Sequence, residues 1–458
     1  MEQKLSVGFK SRFAIADLGF MTLRSMADFF LLIYLTDVAG INPAIVGSAL
    51  LLGKLTWDAV NDPLFGYWSD RTRSRFGRRR IYMLLAAIPL ALVTWLQFSL
   101  PSGLTGASAF LAVLLTFFLK DTCVTIAIVP YYAMTAEVTR DYRERAGLVL
   151  YRGLASVVGY ILGAAGTTMV VGMFKSVGFS LQGAWSATGA IYGSLAMVAL
   201  LITALTIKED PAQAGEPSTI PPRKSILLCF KNRPFVLLMI VYVLAMFAFT
   251  IQSALLPYLI QYQLGMTEQT STILMVSLLT MAVFLIPAKR LSDRINKGPT
   301  YALGLLIVAL TFVIVFFFMP NHPTPLIYVV AVLLGIGLST QWVIPNAMLP
   351  DVIEYDEKMT GERREGVYNG ISNFLTKFSV ALGIAVPGWA LSWFGYVANA
   401  VQTDQALFGI RLTYSVLPAL ALLACLPLLF RYPITSTTHS LLRQELAEKH
   451  NLEVINEP

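Results

Sequence analysis

Trp57-Asp58-Ala59-Val60-Asn61-Asp62-Pro63 stands in the middle of an apolar run, approximately residues 45–68, in a chain of 458 residues that is 56% hydrophobic and 13% charged. A bilayer core of about 30 Å asks for about 20 apolar residues in a helix, so a run of this length is expected to cross a membrane. An ionised side chain at the centre of such a helix costs about 2.5–3.5 kcal/mol on insertion scales, and each one there needs a cavity, a partner or a task. Asp58 and Asp62 are one helical turn apart, so both carboxylates leave the same face about 6 Å apart along the axis, with Asn61 on the same edge. Pro63 has no N–H to engage the carbonyl of Ala59. Two carboxylates, an amide oxygen and that carbonyl form a set of hard oxygen ligands suited to Na⁺, and two like charges this close are equally suited to sharing a proton. A second reading stays open: Lys54, four residues before Asp58, neutralises it, Asp62 reaches an arginine at the loop end of the helix, and the stretch is a satisfied ion network.

Outward from this helix the pattern repeats. Twelve apolar runs fall at approximately 12–35, 45–68, 81–100, 108–134, 147–172, 187–206, 235–262, 271–290, 300–319, 325–349, 368–393 and 411–431, and the mean hydropathy is +0.65. The chain is therefore expected to be an all-α membrane protein with twelve transmembrane helices in two six-helix bundles, residues 1–206 and 235–432, a polar Pro-rich linker at 207–234 and a tail at 433–458. The basic start MEQKLSVGFKSR resembles that of a signal peptide, but the long apolar segment behind it leads straight into a second span, which favours a retained helix.

The net charge of +7 is a topology signal and not a nucleic-acid patch. Basic residues gather in alternate loops, such as SDRTRSRFGRRR at 69–80 and AKRLSDRINKG at 288–298, whereas LPSGLTGAS and MPNHPTP carry almost none. The positive-inside rule then places both termini and the linker in the cytoplasm, with the chain in the cell's inner (plasma) membrane. Ser69-Asp70-Arg71 after the second run is echoed by Ser292-Asp293-Arg294 after the eighth, nearly half the chain away, as internal duplication produces. The echo suggests that Asp70, Arg71, Asp293 and Arg294 help lock a gate at the cytoplasmic end, and the cytoplasmic charges Asp351 and Glu354 are expected to join them. The plainer alternative is that these charges only stop translocation. Cys123, Cys229 and Cys425 form no CxxC pair, and His322, His439 and His450 lie outside the apolar runs, so neither a zinc site nor an intramembrane histidine relay is expected.

Charge at depth is uneven. The first half carries Asp17, Arg24, Asp28, Lys54, Asp58, Asp62, Lys120 and Asp121 within spans, and Arg152 near a span's end; the second half carries only Lys377 well inside one. Arg24 and Asp28, four apart, are placed to neutralise each other; Lys120 and Asp121, being adjacent, are not. Either a solute site or salt bridges between helices would use these four.

WDAVNDP, the following TRSRFGRRR, and MLPDVIEYDEKMTGERREGVYNG at 348–370 resemble the glycoside-pentoside-hexuronide:cation symporters of the major facilitator superfamily, and the similarity runs from YLTDVAG at 34–40 to FLTK at 374–377. The resemblance implies the major facilitator fold, alternating access, and import of a small solute with Na⁺ or H⁺ through the lipid bilayer, with no other cofactor. It implies a cation site at Asp58, Asn61, Asp62 and Thr125, with Asp58 and Asp62 as ligands if the ion is Na⁺, and solute contacts at Arg152, Trp342 and Lys377. An aromatic ring such as Trp342 or Tyr132 suits the apolar face of a pyranose. Two family aspartates of the sugar site would fall at Met21 and Ile128; Asp17, one turn from Met21, and Asp121, two turns before Ile128, are the candidates to replace them. Sodium-coupled lysophospholipid transporters resemble the same family, so a cavity holding Met21 and Ile128 beside Arg24, Lys120, Arg152 and Lys377 admits a lysolipid or other anionic amphiphile as the alternative solute. A non-transporting receptor or scaffold is the alternative outside transport. No nucleophile and base pair argues for an enzyme.

Overall fold

A computed structural model describes residues 5–139, 141–207, 228–361 and 364–445. Helices dominate, and no strand occurs among the described residues. Among the described residues twelve long helices follow in order: α1 Val7–Val38, α2 43–71, α3 Arg80–Gln97, α4 Gly106–Glu137, α5 Tyr142–Ser176, α6 Leu181–Thr206, α7 Arg233–Gln263, α8 Thr267–Ile295, α9 Lys297–Phe318, α10 Leu326–Thr360, α11 Glu365–Trp393 and α12 Asp404–Phe430. A short helix at 436–445 follows them. Several starts are capped as the sequence dictates: Ser6, Asn42, Asp141, Ser180, Asn232 and Thr403 each accept a backbone N–H of the first turn, and Pro43 and Pro234 enter just behind their caps, where a missing N–H does no harm.

Eleven of these helices are long and apolar enough to cross a membrane. The remaining one is α2, whose middle holds Lys54, Asp58 and Asp62. It keeps its path from Pro43 to Arg71, but residues Lys54–Asp58 form a π turn between its two α-helical parts. A π turn inside a helix frees or re-aims groups on one face and is frequent where a site is built. The protein is a multi-pass membrane protein.

Helices before residue 207 pack mainly among themselves, α1 against α5 and α6, α3 against α4 and α6, and α2 against α4. Those after 232 do the same, α10 against α8 and α9, and α7 against α11 and α12. Among the described residues the groups meet chiefly through three pairs, α2 with α11, α5 with α8, and α1 with α7. Between α2 and α11 the backbones nearly touch: a Cβ built on Gly388 would stand 2.4 Å from the Pro43 carbonyl oxygen, and one on Gly47 2.8 Å from that of Ala385. Small residues at such a crossing let two helices approach in lipid, where no hydrophobic force draws them together.

This crossing lies at the end of the molecule away from the termini, where Trp389 Nε1 donates to Ser48 Oγ at 3.0 Å. Gly388→Val is therefore expected to loosen that end. A cysteine placed at Thr36, which is 1% exposed, is expected to react with a maleimide about tenfold faster in the Gly388→Val background as the population shifts. Unchanged labelling would show that the crossing does not hold the end closed.

Candidate functional site

The π turn of α2 and the middle of α11 meet at the centre of the molecule. Lys377 of α11 directs its ammonium between the two carboxylates of α2: it donates to Asp58, to Asp62 Oδ2 at 2.6 Å, and to the Asp58 backbone carbonyl at 3.0 Å. Lys54 Nζ stands farther off, 3.9 Å from Asp58 Oδ2. The pairing of Lys54 with Asp58 that spacing allows is thus present but secondary, and the main counter-ion comes from the other half of the chain, 319 residues away.

Around this trio the oxygens are ordered by α4. Thr125 Oγ1 donates to Asp62 Oδ1 at 3.1 Å, and Asn61 Nδ2 donates to Asp121 Oδ2 at 3.0 Å. Asn61 is 0% exposed, and its Oδ1 accepts no hydrogen bond. A buried amide oxygen left without a donor is costly, and beside two carboxylates it is a ready ligand for a cation. Asp58, Asn61 and Asp62 of α2 and Thr125 of α4 thus lie together, with Asp121 joined to them through Asn61. Among the described residues no group of three or more His, Cys, Asp or Glu side chains is placed to hold a metal ion, so a cation here would draw on the neutral oxygens of Asn61 and Thr125 as well as the two carboxylates.

A second cluster joins α1, α4 and α5. Arg152 Nε donates to Asp17 Oδ2 at 2.7 Å, its Nη1 donates to Thr135 at 2.9 Å, and Tyr131 OH donates to the same Asp17 oxygen at 2.5 Å. The guanidinium also lies over the rings of Tyr131 and Tyr132, 4.8 Å and 4.4 Å from their centroids. Asp17 is 1% exposed, so this is a satisfied ion pair at depth in which Tyr132 takes part.

A third cluster lies farther along α1. Arg24 Nε is 3.6 Å from Asp28 Oδ2, and Tyr160 OH donates to Asp28 at 3.2 Å. The Tyr160 ring packs edge-on against Trp342 of α10, centroids 5.5 Å apart, and Trp342 in turn meets Phe249 of α7. Trp342 thus stands at the seam of the halves. Asp17, Met21, Arg24 and Asp28 recur at i, i+4, i+7 and i+11, one stripe of α1. Among the described residues Lys120 makes no ion pair or hydrogen bond; Asp121 is its neighbour in the chain.

Among the described residues, the expected gate residues do not gather into one cluster. Asp351 binds Lys297 at 2.6 Å, and Glu354 binds His439 at 2.8 Å and Arg443 at 3.1 Å, partners that belong to the same half and to the tail helix. Asp293 pairs with Lys289 on the surface, Arg294 is exposed, and Arg71 lies over the ring of Tyr67. The side chain of Asp70 lies outside the described residues.

One group escaped the sequence reading. At the end away from the termini, Asp37 of α1 accepts from Tyr262, from Tyr396 at 2.5 Å and from Gln261 at 3.3 Å, while Thr36 meets Tyr258 at 2.7 Å. Asn399 donates to the Asp37 carbonyl at 2.6 Å. Burial first, and the Asp37 carboxylate second, push the Tyr396 hydroxyl far above its ordinary range, so it stays a donor at any physiological pH. The only signal is a lone acid in YLTDVAG, one residue from a helix end, with its partners more than 220 residues away.

Comparison with known proteins sets these clusters in a family. A family model described as "MFS/sugar transport protein" matches residues 12–436. The "Isoprimeverose transporter" of Lactiplantibacillus pentosus is 28% identical over 96% of this chain and 91% of its own. The "Sodium-dependent lysophosphatidylcholine symporter 1-A" of Danio rerio is 27% identical over 94% and 87%. Among solved structures, the nucleoside transporter NupG superposes with a TM-score of 0.65 at 17% identity, covering 93% of this chain and all of that one, a likeness of fold.

Proposed function

Because the chain belongs to the MFS/sugar transport protein family, it is a secondary transporter and not an enzyme, and from that premise we propose that it is a cation-coupled symporter importing a glycoside, pentoside, hexuronide or related solute. The observation that carries this reading is the seat of Lys377 between Asp58 and Asp62, with the orphaned oxygen of Asn61 alongside. The lysine is a cation tethered to one half; the carboxylates belong to the other. An incoming Na⁺, or a proton in its place, competes with that ammonium for the same oxygens and loosens a strut between the halves. Solute entering at the seam beside Trp342, and reaching Tyr132 in the first half, then bridges them again. Cation and solute affinities are linked, and the linkage is reciprocal.

The end carrying the termini is taken as cytoplasmic, in the inner membrane, because its loops hold the basic residues. On this reading Asp37 and its tyrosines close the outer end, and Asp70, Arg71, Asp293, Arg294, Asp351 and Glu354 change partners when the inner end closes. The purified protein tests the solute class. In a thermal-shift screen with and without Na⁺ at two pH values, stabilisation by glycosides that requires the cation is expected. Stabilisation by lysolipids alone would replace the glycoside by an amphiphile, and stabilisation indifferent to Na⁺ and acid would remove the coupling.

A further inference from the structure

The short helix at 436–445 lies against the end of α10 that carries two of the expected gate acids. Ser436 N donates to Asn296 Oδ1 at 2.8 Å where α8 meets α9, and Ile434 and Leu442 are buried. His439 Nε2 stands 2.8 Å from Glu354 Oε2 and 3.5 Å from Asp351 Oδ1. Arg443 holds Glu354 through two contacts, at 3.1 Å and 3.2 Å, and Glu445 binds Lys358. The remaining charged neighbour is Lys297 of α9, 2.6 Å from Asp351, and the Tyr432 hydroxyl is buried in the chain that leads into the helix. Among the described residues Lys297 and Arg443 each serve one of these carboxylates, whereas His439 touches both. The Arg443 side chain is 66% exposed, so water screens its charge; that of His439 is 22% exposed.

We infer that the tail helix is a brake on closing of the inner end, set by His439 and released as cytoplasmic pH rises. This rests on the symporter reading at one point, that Asp351 and Glu354 change partners when that end closes. Asp37 with Tyr262 and Tyr396 joins the halves at the outer end, and the tail meanwhile holds both inner acids. Histidine is the side chain that changes charge between about pH 5 and 8. A neutral ring gives Glu354 one ordinary hydrogen bond. A protonated ring is drawn as an ion to Glu354 and Asp351 together, and a charge-assisted bond is about twice as strong. Proton and docking therefore favour each other by the same factor, and docking is lost as pH rises.

The test measures distances between paired spin labels on the purified full-length protein, without Na⁺ or solute; the three native cysteines are buried. Labels on cysteines placed at Leu441 and Met359, both exposed, report docking of the tail. Labels at Ser11 and Arg290, exposed residues of opposite halves, report the inner end. Between about pH 6 and about pH 8 the ratio of docked to undocked tail is expected to fall about tenfold in the wild type, to stay constant in His439→Gln, and to stay high in His439→Lys. At the acid pH, the double variant His439→Gln with Arg443→Gln is expected to populate the short inner-end distance about tenfold more than the wild type. Melting of each variant establishes that it is folded. A wild-type ratio that ignores pH, or one that follows it equally in His439→Gln, overturns the switch. An inner-end distance that is the same in the double variant and the wild type overturns the brake. Uptake indifferent to Na⁺ and acid would sink the cation coupling and leave these distances as they are.

Discussion

Asp62→Asn is expected to abolish concentrating uptake in vesicles, lowering cation-stimulated accumulation by about 100-fold, near the upper end of measured coupling factors. Asp62 accepts from Lys377 at 2.6 Å on one oxygen and from Thr125 at 3.1 Å on the other, so its charge is shared between the strut and the cation pocket. An amide in its place keeps the size and loses the charge. Lys377 then rests on Asp58 alone, and an added cation would meet one carboxylate and two lysines. The halves still pack through α5 with α8 and α1 with α7, so the variant is expected to fold and to exchange solute down its gradient. Accumulation that persists with full cation stimulation would remove Asp62 from the site.

The second large effect belongs to Lys377→Gln. Removing the tethered ammonium leaves Asp58 and Asp62 with only Lys54, 3.9 Å from one of them. Two like charges with a weakened partner attract a free cation more strongly, so cation affinity is expected to rise about tenfold or more. Uptake is expected to fall by a similar factor, because the cation-free protein has lost the strut whose release the cation controls. Tighter cation binding with slower transport is a signature that a merely structural lysine would not give. Unchanged cation affinity would show that Lys377 and the cation do not compete.

Much of the architecture was legible because membrane helices announce themselves by length and composition. The α2 carboxylates were legible because one turn of helix puts Asp58 and Asp62 on one face, and the Arg24–Asp28 pair follows from the same spacing. Thr125 came from the family resemblance, and it does stand beside Asp62. What the sequence hid depends on contacts between distant helices. The family resemblance points Lys377 at the solute, and nothing in a one-dimensional pattern ties it to Asp58 or Asp62. Asp17 and Arg152 were singled out separately, yet each is the other's partner. Asp37 is not legible in the sequence, because a single acid near a helix end looks like an interfacial residue until Tyr262 and Tyr396 close on it. The partners of Asp351 and Glu354 were hidden likewise, since His439 and Arg443 lie in a polar tail with no apolar period to mark its docking.

The central claim is that one cation, Na⁺ or H⁺, binds at Asp58 and Asp62 in exchange for Lys377. Calorimetric titration of the purified protein with NaCl, at neutral and at acid pH and with no solute present, tests it most directly. The expected result is one Na⁺ per chain, weakened by acid as the proton takes its place, and lost in both Asp58→Asn and Asp62→Asn. Heat of binding for Na⁺ or H⁺ that is the same in the wild type and in both variants would contradict it.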